Sequence, residues 1–274
     1  SKKFGETYKE IIKSDIKIDK KIIFRSFEDN EIGISKIFAK CVEKSTKILK
    51  KIKPKLLIVL GDRYEILASV ISSNILNIPV AHIHGGELTY GAIDDAFRHS
   101  ITKMSHIHFT ANKIYKKRVI QLGENPKKIY VVGGLGVDSL NKTKLLSKED
   151  LENKFNFKFR KKNYLVSFHP ETSNKLSPKK QIKEILLALK KLKETSIIFT
   201  MPGADLGNSL IETEIKKFIK KNKNSFFYKS LGQISYFSIL NQVDAVIGNS
   251  SSGILEMPYF KKATINLGSR QLGR

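Results

Sequence analysis

One cysteine in 274 residues, Cys41, leaves no partner for an intrachain disulfide. A disulfide scaffold is thereby excluded, a reducing cytoplasm fits, and Cys41 reads as a core or inert thiol rather than a surface nucleophile. Long apolar runs are missing too: Leu56–Leu60 stops at Gly61-Asp62, far short of the ~18 residues a membrane helix needs. No charged-then-apolar-then-small leader follows Ser1, so no secretion signal is expected, and a start at serine reads as a fragment or processed product. Arginine is scarce, at seven of 50 basic residues. The net charge of +24 would ordinarily suggest nucleic-acid binding by counterion release. The remaining basic residues are lysines spread along amphipathic segments, not the planar forks preferred at phosphates, and they read as solvated helix faces. Neither a nucleic-acid nor a membrane partner is expected.

What is present is ordinary for a globular protein: 41% hydrophobic and 28% charged residues, enough for a packed core. The length permits two domains. From Lys55 onward, short apolar runs alternate with longer amphipathic ones, the pattern of βα units on a parallel sheet. Strands are expected at Leu56–Leu60, Val80–Ile83, Ile107–Thr110 and Ile129–Val132, with helices at Tyr64–Asn77, Asp94–Lys103 and Lys113–Leu122. After a polar, lysine-rich stretch from Asn141 to Lys162, a second series is expected. Its strands are Tyr164–Phe168, Ile197–Thr200, Phe226–Tyr228, Ala245–Ile247 and Thr264–Leu267, and its helices lie near Gln181–Leu192, Leu210–Lys220, Ile234–Asn241 and Gly253–Tyr259. The expected fold is α/β, with two Rossmann-like parallel-sheet halves, 1–150 and 151–274, facing a cleft.

Ligands of such sheets bind beyond the carboxyl ends of the strands. Nearly every expected strand runs there into polar or glycine-rich text. Asn249-Ser250-Ser251-Ser252-Gly253 follows a strand and opens a short helix, so hydroxyls and first-turn N–H groups offer a phosphate site, against the plainer reading of a serine N-cap. Glu256, one turn on, is placed to accept from ribose hydroxyls or is a solvated helix residue. Alternation puts His82 and His84 on one strand face. No local cysteine or HExxH frame completes a metal set, and no metal is expected. His84 beside Glu87 reads as an acid–base histidine, His82 as structural. Asp94 and Asp95 open a helix, where acids suit the dipole, and Asp94 and Arg98, four apart, share a face and read at their plainest as a surface ion pair. Asp62, His84, Glu87, Asp94 and His169 all fall at strand ends or in the loops after them.

Together these segments resemble the hydrolysing UDP-N-acetylglucosamine 2-epimerases of sialic and legionaminic acid biosynthesis. The likeness is carried, in the family's order, by Gly61-Asp62-Arg63-Tyr64-Glu65, His82-Ile83-His84-Gly85-Gly86-Glu87, Asp94 to Lys103, His169-Pro170-Glu171-Thr172, Gly248 to Glu256 and Asn266 to Gln271. The resemblance implies a glycosyltransferase-B-like fold. It implies a reaction that breaks the anomeric C–O bond, removes the C2 proton to give a glycal and adds water with inversion at C2. The substrate it implies is a nucleotide sugar carrying UDP or GDP, with no cofactor, a homo-oligomer and a cytoplasmic location. Matching positions make Asp62, His84, Glu87, Asp94 and Asp95 the catalytic candidates. Arg63, Arg98, His99, His169, Asp205, Asn249, Ser250, Ser251, Ser252, Glu256 and Arg270 are the nucleotide and substrate candidates.

Three departures accompany the likeness. Many members carry glutamate at the His84 position, which leaves the base to Glu87 or to the imidazole. Pro202-Gly203-Ala204-Asp205 stands where many have Pro-Asn-x-Asp. The first βα unit and the C-terminal segment of full-length members are expected to be absent, since Phe4 to Glu10 resembles text that follows that unit. The rival readings are a non-hydrolysing 2-epimerase, a glycosyltransferase on the same architecture and a binding-only relative.

Overall fold

The structure is a computed structural model that describes residues 8–14, 16–23, 30–90, 92–171, 176–202, 205 and 207–273. Residues 4–7, Thr172, Gly203 and Ala204, quoted above as motif positions, lie outside the described residues. By packing, the chain forms two compact units, one of residues 19–134 with 272–274, the other of residues 1–18 with 135–271.

The first unit carries four parallel strands in the order β1(Leu57–Leu60), β2(Val80–Ile83), β3(Ile107–Thr110), β4(Ile129–Val131). Parallel neighbours require a crossover, and helices supply each one: α3(Tyr64–Ile75), α4(Asp94–Lys103) and α5(Lys113–Gln121). Before β1 lies a helix over residues 31–52, α2(Glu31–Ile52), in text the strand-and-helix alternation did not cover. The Asn30 side chain caps it by accepting from Gly33 N–H at 2.8 Å. It buries Cys41, Ser45 and Leu49, and the Ser72 hydroxyl of α3 donates to its Val42 carbonyl at 3.0 Å. Burial pushes the Cys41 thiol up to about 11, which keeps it protonated and unreactive. Val59, Leu67, Val70, Val80 and Ile101 form the core between sheet and helices.

The second unit has five parallel strands, β5(Lys162–Ser167), β6(Thr195–Thr200), β7(Ser225–Tyr228), β8(Ala245–Gly248) and β9(Ala263–Asn266), ordered β7-β6-β5-β8-β9. The chain runs outward from β5 to β7 and then returns to the other side of β5. The order therefore reverses between β5 and β8, the place where such sheets open a crevice at their carboxyl ends. Period-two alternation divides the strands between two cores: Leu165, Ile198 and Val246 face one, Val166, Ile197, Phe199 and Ile247 the other. Burial on both faces is why these strands read as unbroken apolar runs.

Around this sheet lie α1(Tyr8–Lys13), α6(Leu135–Lys142), α7(Lys148–Phe155), α8(Pro178–Leu189), α9(Asn208–Lys221), α10(Gln233–Gln242) and the four-residue α11(Ser252–Leu255). Leu140 of α6 and Leu151 of α7 are buried with Leu165 and Val246. Residues 135–150 thus pack with the second sheet, and the division falls at 134/135, where the sequence reading set the join at 150. The polar, lysine-rich stretch from Asn141 to Lys162 contains α7, started by a reciprocal capping box between Ser147 and Asp150. The helix expected over Gly253–Tyr259 is two short turns, α11 and a 3-10 turn at Met257–Phe260. Pro258 lacks the N–H that a continuous helix would use.

Among the described residues no helix is long and apolar enough to cross a membrane. If α7 is an integral part of the second core, Leu151→Ala should destabilise the protein by about 2–5 kcal/mol, the range for emptying a buried leucine site. Urea unfolding checks this, and a loss under about 0.5 kcal/mol, the range of surface changes, would mean that α7 is dispensable.

Candidate active site

In the first unit the loops after β1 and β2 and the start of α4 are joined through one guanidinium. Arg98, on α4, is 1% exposed. One of its nitrogens pairs with Asp62 Oδ2 in the turn after β1. The other donates to the Glu87 carbonyl at 3.0 Å and to Thr89 Oγ1 at 2.9 Å, in the segment after β2, and lies 3.6 Å from Asp95 Oδ1. Asp95 Oδ1 also accepts from Thr89 N–H at 2.6 Å, and Asp95 Oδ2 lies 3.6 Å from His99 Nε2. A guanidinium out of water requires such partners, because an unpaired buried charge is far costlier than a paired one. The spacing argument paired Arg98 with Asp94 at the surface, and the structure corrects it. Arg98 is interior, and its carboxylate partners are Asp62 and Asp95. Asp94 is buried in the first turn of α4 beside Asp95.

His82 and His84 do not form a pair on one strand face, because β2 ends at Ile83 and His84 turns away with φ +67°. His82 is fully buried; its Nε2 donates to the Gly61 carbonyl at 2.9 Å and its Nδ1 lies 3.2 Å from Thr102 Oγ1. Desolvation lowers its pKa to about 4, against a smaller opposing effect of the Gly61 bond. It is a neutral strut that fixes the turn carrying Asp62. His84 Nδ1 lies 2.6 Å from Glu87 Oε1, with Glu87 2% exposed. The loop between them passes through Gly86 at φ +81°, where a Cβ would strike the Tyr115 backbone carbonyl, so only glycine fits. Burial also lowers the pKa of His99. Arg63 sits at the start of α3, its guanidinium 5.2 Å from the Tyr64 ring centroid and 3.3 Å from Glu65 Oε2.

The second unit gathers its candidates at the β5/β8 switch. Asn249, fully buried, accepts from His169 N–H at 2.7 Å and donates to His169 O at 2.9 Å, so one side-chain amide pairs with the whole peptide edge of His169. Its own carbonyl accepts from Gln271 Nε2 at 2.7 Å and Arg270 Nη1 at 3.4 Å. Glu171 Oε1 accepts from the backbone N–H of Ser269 at 2.5 Å and of Arg270 at 3.0 Å. His169 Nδ1 lies 3.5 Å from Asp205 Oδ2. Ser251 occupies the N-cap of α11 with helical dihedrals and no side-chain cap bond, so the plain N-cap reading does not account for its hydroxyl. The Ser250 and Ser252 hydroxyls adjoin Tyr236, whose phenol is pushed above its ordinary range by burial. The Glu256 carboxylate lies where a Cβ on Gly136 would fall, at the first turn of α6, and is not on a solvated helix face. Glu171 and Gln271, quoted only as motif text, are clamps of this site; acid and amide side chains buried in a loop were the available sign.

The profile of the UDP-N-acetylglucosamine 2-epimerase family matches residues 1–274. The chain belongs to this family. The GDP/UDP-N,N'-diacetylbacillosamine 2-epimerase (hydrolyzing) of Campylobacter jejuni is 42% identical over all of this chain and 71% of its own length. Polysialic acid biosynthesis protein P7 of Escherichia coli is 44% identical over 79% of this chain, which spans only 55% of that relative. The solved UDP-GlcNAc 2-epimerase from Neisseria meningitidis bound to UDP-GlcNAc has a TM-score of 0.78 at 20% identity, covering 96% of this chain and 72% of that one. At that identity the likeness shows the fold, two parallel-sheet halves with flanking helices, as expected from the sequence.

In this family member, Arg98→Ala strands Asp62 and the Glu87 carbonyl, and should cost about 3–5 kcal/mol in urea unfolding, as for other broken buried pairs; a loss below 1 kcal/mol would show that the network is not held by Arg98. For His82, the unfolded imidazole binds a proton below its ordinary 6.5 while the native one refuses it until about 4. Stability is therefore intact above pH 6.5 and falls by about 3 kcal/mol as the pH drops toward 4. His82→Gln should flatten that slope, and an unchanged slope would exclude His82 as its source.

Proposed function

We propose that this chain carries a hydrolysing nucleotide-sugar 2-epimerase, acting on UDP-N-acetylglucosamine or on a UDP- or GDP-linked diacetamido-trideoxy-glucose, in the cytoplasm. The observation that carries the reading is the buried acid–base network around Arg98, in a chain 42% identical over its whole length to a hydrolysing 2-epimerase of the diacetamido sugar. The reaction needs a base at C2, stabilisation of the departing diphosphate and a proton source for the opposite face of C2. Asp62, Asp94 and the His84–Glu87 pair are the groups of the first unit that can exchange protons. In the second unit, Ser250, Ser251, His169 and Arg270 are the proposed diphosphate contacts, hydroxyls and cations at strand ends being suited to an anion. Asn249 and Glu171 hold the backbone of that loop cluster and act through it. Water adds at C1 after diphosphate leaves, and the product is a free manno-configured sugar.

The second reading is a non-hydrolysing 2-epimerase, in which the nucleotide is recaptured and a nucleotide sugar results. Incubation with each candidate nucleotide sugar followed by NMR separates the two. Free sugar plus nucleoside diphosphate is the expected product; a nucleotide-sugar product would establish the second reading, and binding without turnover a binding-only protein. Asp62→Asn and Asp94→Asn should each lower kcat by at least ~10²-fold with KM changed only a few-fold. Near-wild-type kcat in both would remove the catalytic assignment.

A further inference from the structure

We propose that the group removing the C2 proton is the His84 imidazole, acting through Nε2, with Glu87 as the residue that positions it. This rests on the 2-epimerase reading above and decides between the two bases which the sequence left open. Glu87 is the poorer candidate for direct contact: its side chain is 3% exposed, and Oε1 is engaged with His84 Nδ1 at 2.6 Å. Its backbone carbonyl is also bound to Arg98, which anchors the residue from the other side. An ionised carboxylate only accepts, so Nδ1 carries the hydrogen and Nε2 is left with its lone pair. Nε2 makes no hydrogen bond to the described residues, and the His84 side chain is 16% exposed where that of Glu87 is 3%. A sealed carboxylate holding one nitrogen of a partly exposed imidazole whose other nitrogen is unbonded is the base-and-orienter arrangement of general base catalysis.

The backbone says the same. His84 stands at φ +67°, a conformation that costs a non-glycine residue energy and that persists where the surroundings impose it. The His84 N–H donates to Phe109 O of β3 at 2.9 Å, so the residue is pinned at both its backbone and its ring.

In the step, Nε2 forms a bond to the C2 hydrogen, and the C2–H electron pair becomes the C1=C2 bond of the glycal. The C1–O pair leaves with the nucleoside diphosphate. The imidazolium that results is stabilised by the Glu87 carboxylate, which keeps its place and gains no proton. Hydration then puts hydroxyl on C1 and a proton on C2 from the opposite face, so that proton comes from a second group, for which Asp62 and Asp94 are available. The original proton passes from Nε2 to water.

The positive φ also supplies the test, because glycine is at ease there and His84→Gly removes the ring without straining the fold. Wild-type protein is first assayed in D2O: nucleoside diphosphate and free sugar with deuterium at C2 establish the parent reading, and their absence overturns that reading by itself. With wild type active, His84→Gly should lose ~10²–10⁴-fold in kcat, the usual worth of a general base, with KM within a few-fold. Free imidazole added to this variant should then restore at least ten times its residual rate, in proportion to imidazole concentration, an effect that a merely structural ring would not show. Glu87→Gln should lower kcat and leave KM near wild type. Retention of activity within five-fold in His84→Gly, or a loss that imidazole does not relieve in a variant melting like wild type, would overturn the proposal. If the glycine variant melts early, His84→Asn, also tolerant of positive φ, is judged by the same kcat and KM criteria.

Discussion

The pairing of Arg98 with Asp62 is the constraint on which the arrangement of the first unit's strand-end loops depends. A guanidinium taken out of water must find acceptors for its fixed fork of donors, and here the acceptors come from three separate stretches of chain. Asp62 follows β1, Glu87 and Thr89 follow β2, and Asp95 belongs to the helix that carries Arg98 itself. Loops after parallel strands are ordinarily the most mobile part of such a sheet. One interior cation ties two of them, and the helix that follows the second, into a single body.

The second unit solves the same problem without a buried cation. Where β5 and β8 part, the ladder runs out, and side chains continue it: the Asn249 amide pairs with the peptide of His169, and the Glu171 carboxylate with the amides of Ser269 and Arg270. Neutral and acidic groups suffice because their partners are backbone dipoles rather than other charges.

Strands were legible because they are short apolar runs punctuated by glycine and aspartate, and their ends shift by only a residue or two. The helix over residues 31–52 was passed over because the alternation was read only from Lys55, although Asn30 before an amphipathic run signals a start. The α7 helix was hidden by its lysines, while Ser147 and Asp150 spelled its capping box. The polar residues that gather at the strand ends were legible by type and position. Their pairings were not, because Asp62 and Arg98 are 36 residues apart and Asn249 and His169 are 80 apart. Local spacing therefore favoured Asp94 for Arg98, and alternation put His84 on a face of β2 although the backbone leaves the strand after Ile83.

Asn249 is followed by Ser250, a small residue whose amide nitrogen is the natural attacker on an asparagine side chain in slow, spontaneous deamidation. That reaction requires the amide to swing out of its present pose and meet the main chain behind it. Bound at both ends to His169 and fully enclosed, it has little freedom to do so. The contact that extends the ladder thus also protects the molecule against chemical ageing at this position. Where the amide were lost, an oxygen would face the His169 carbonyl in place of a donor, and repulsion would open this end of the sheet.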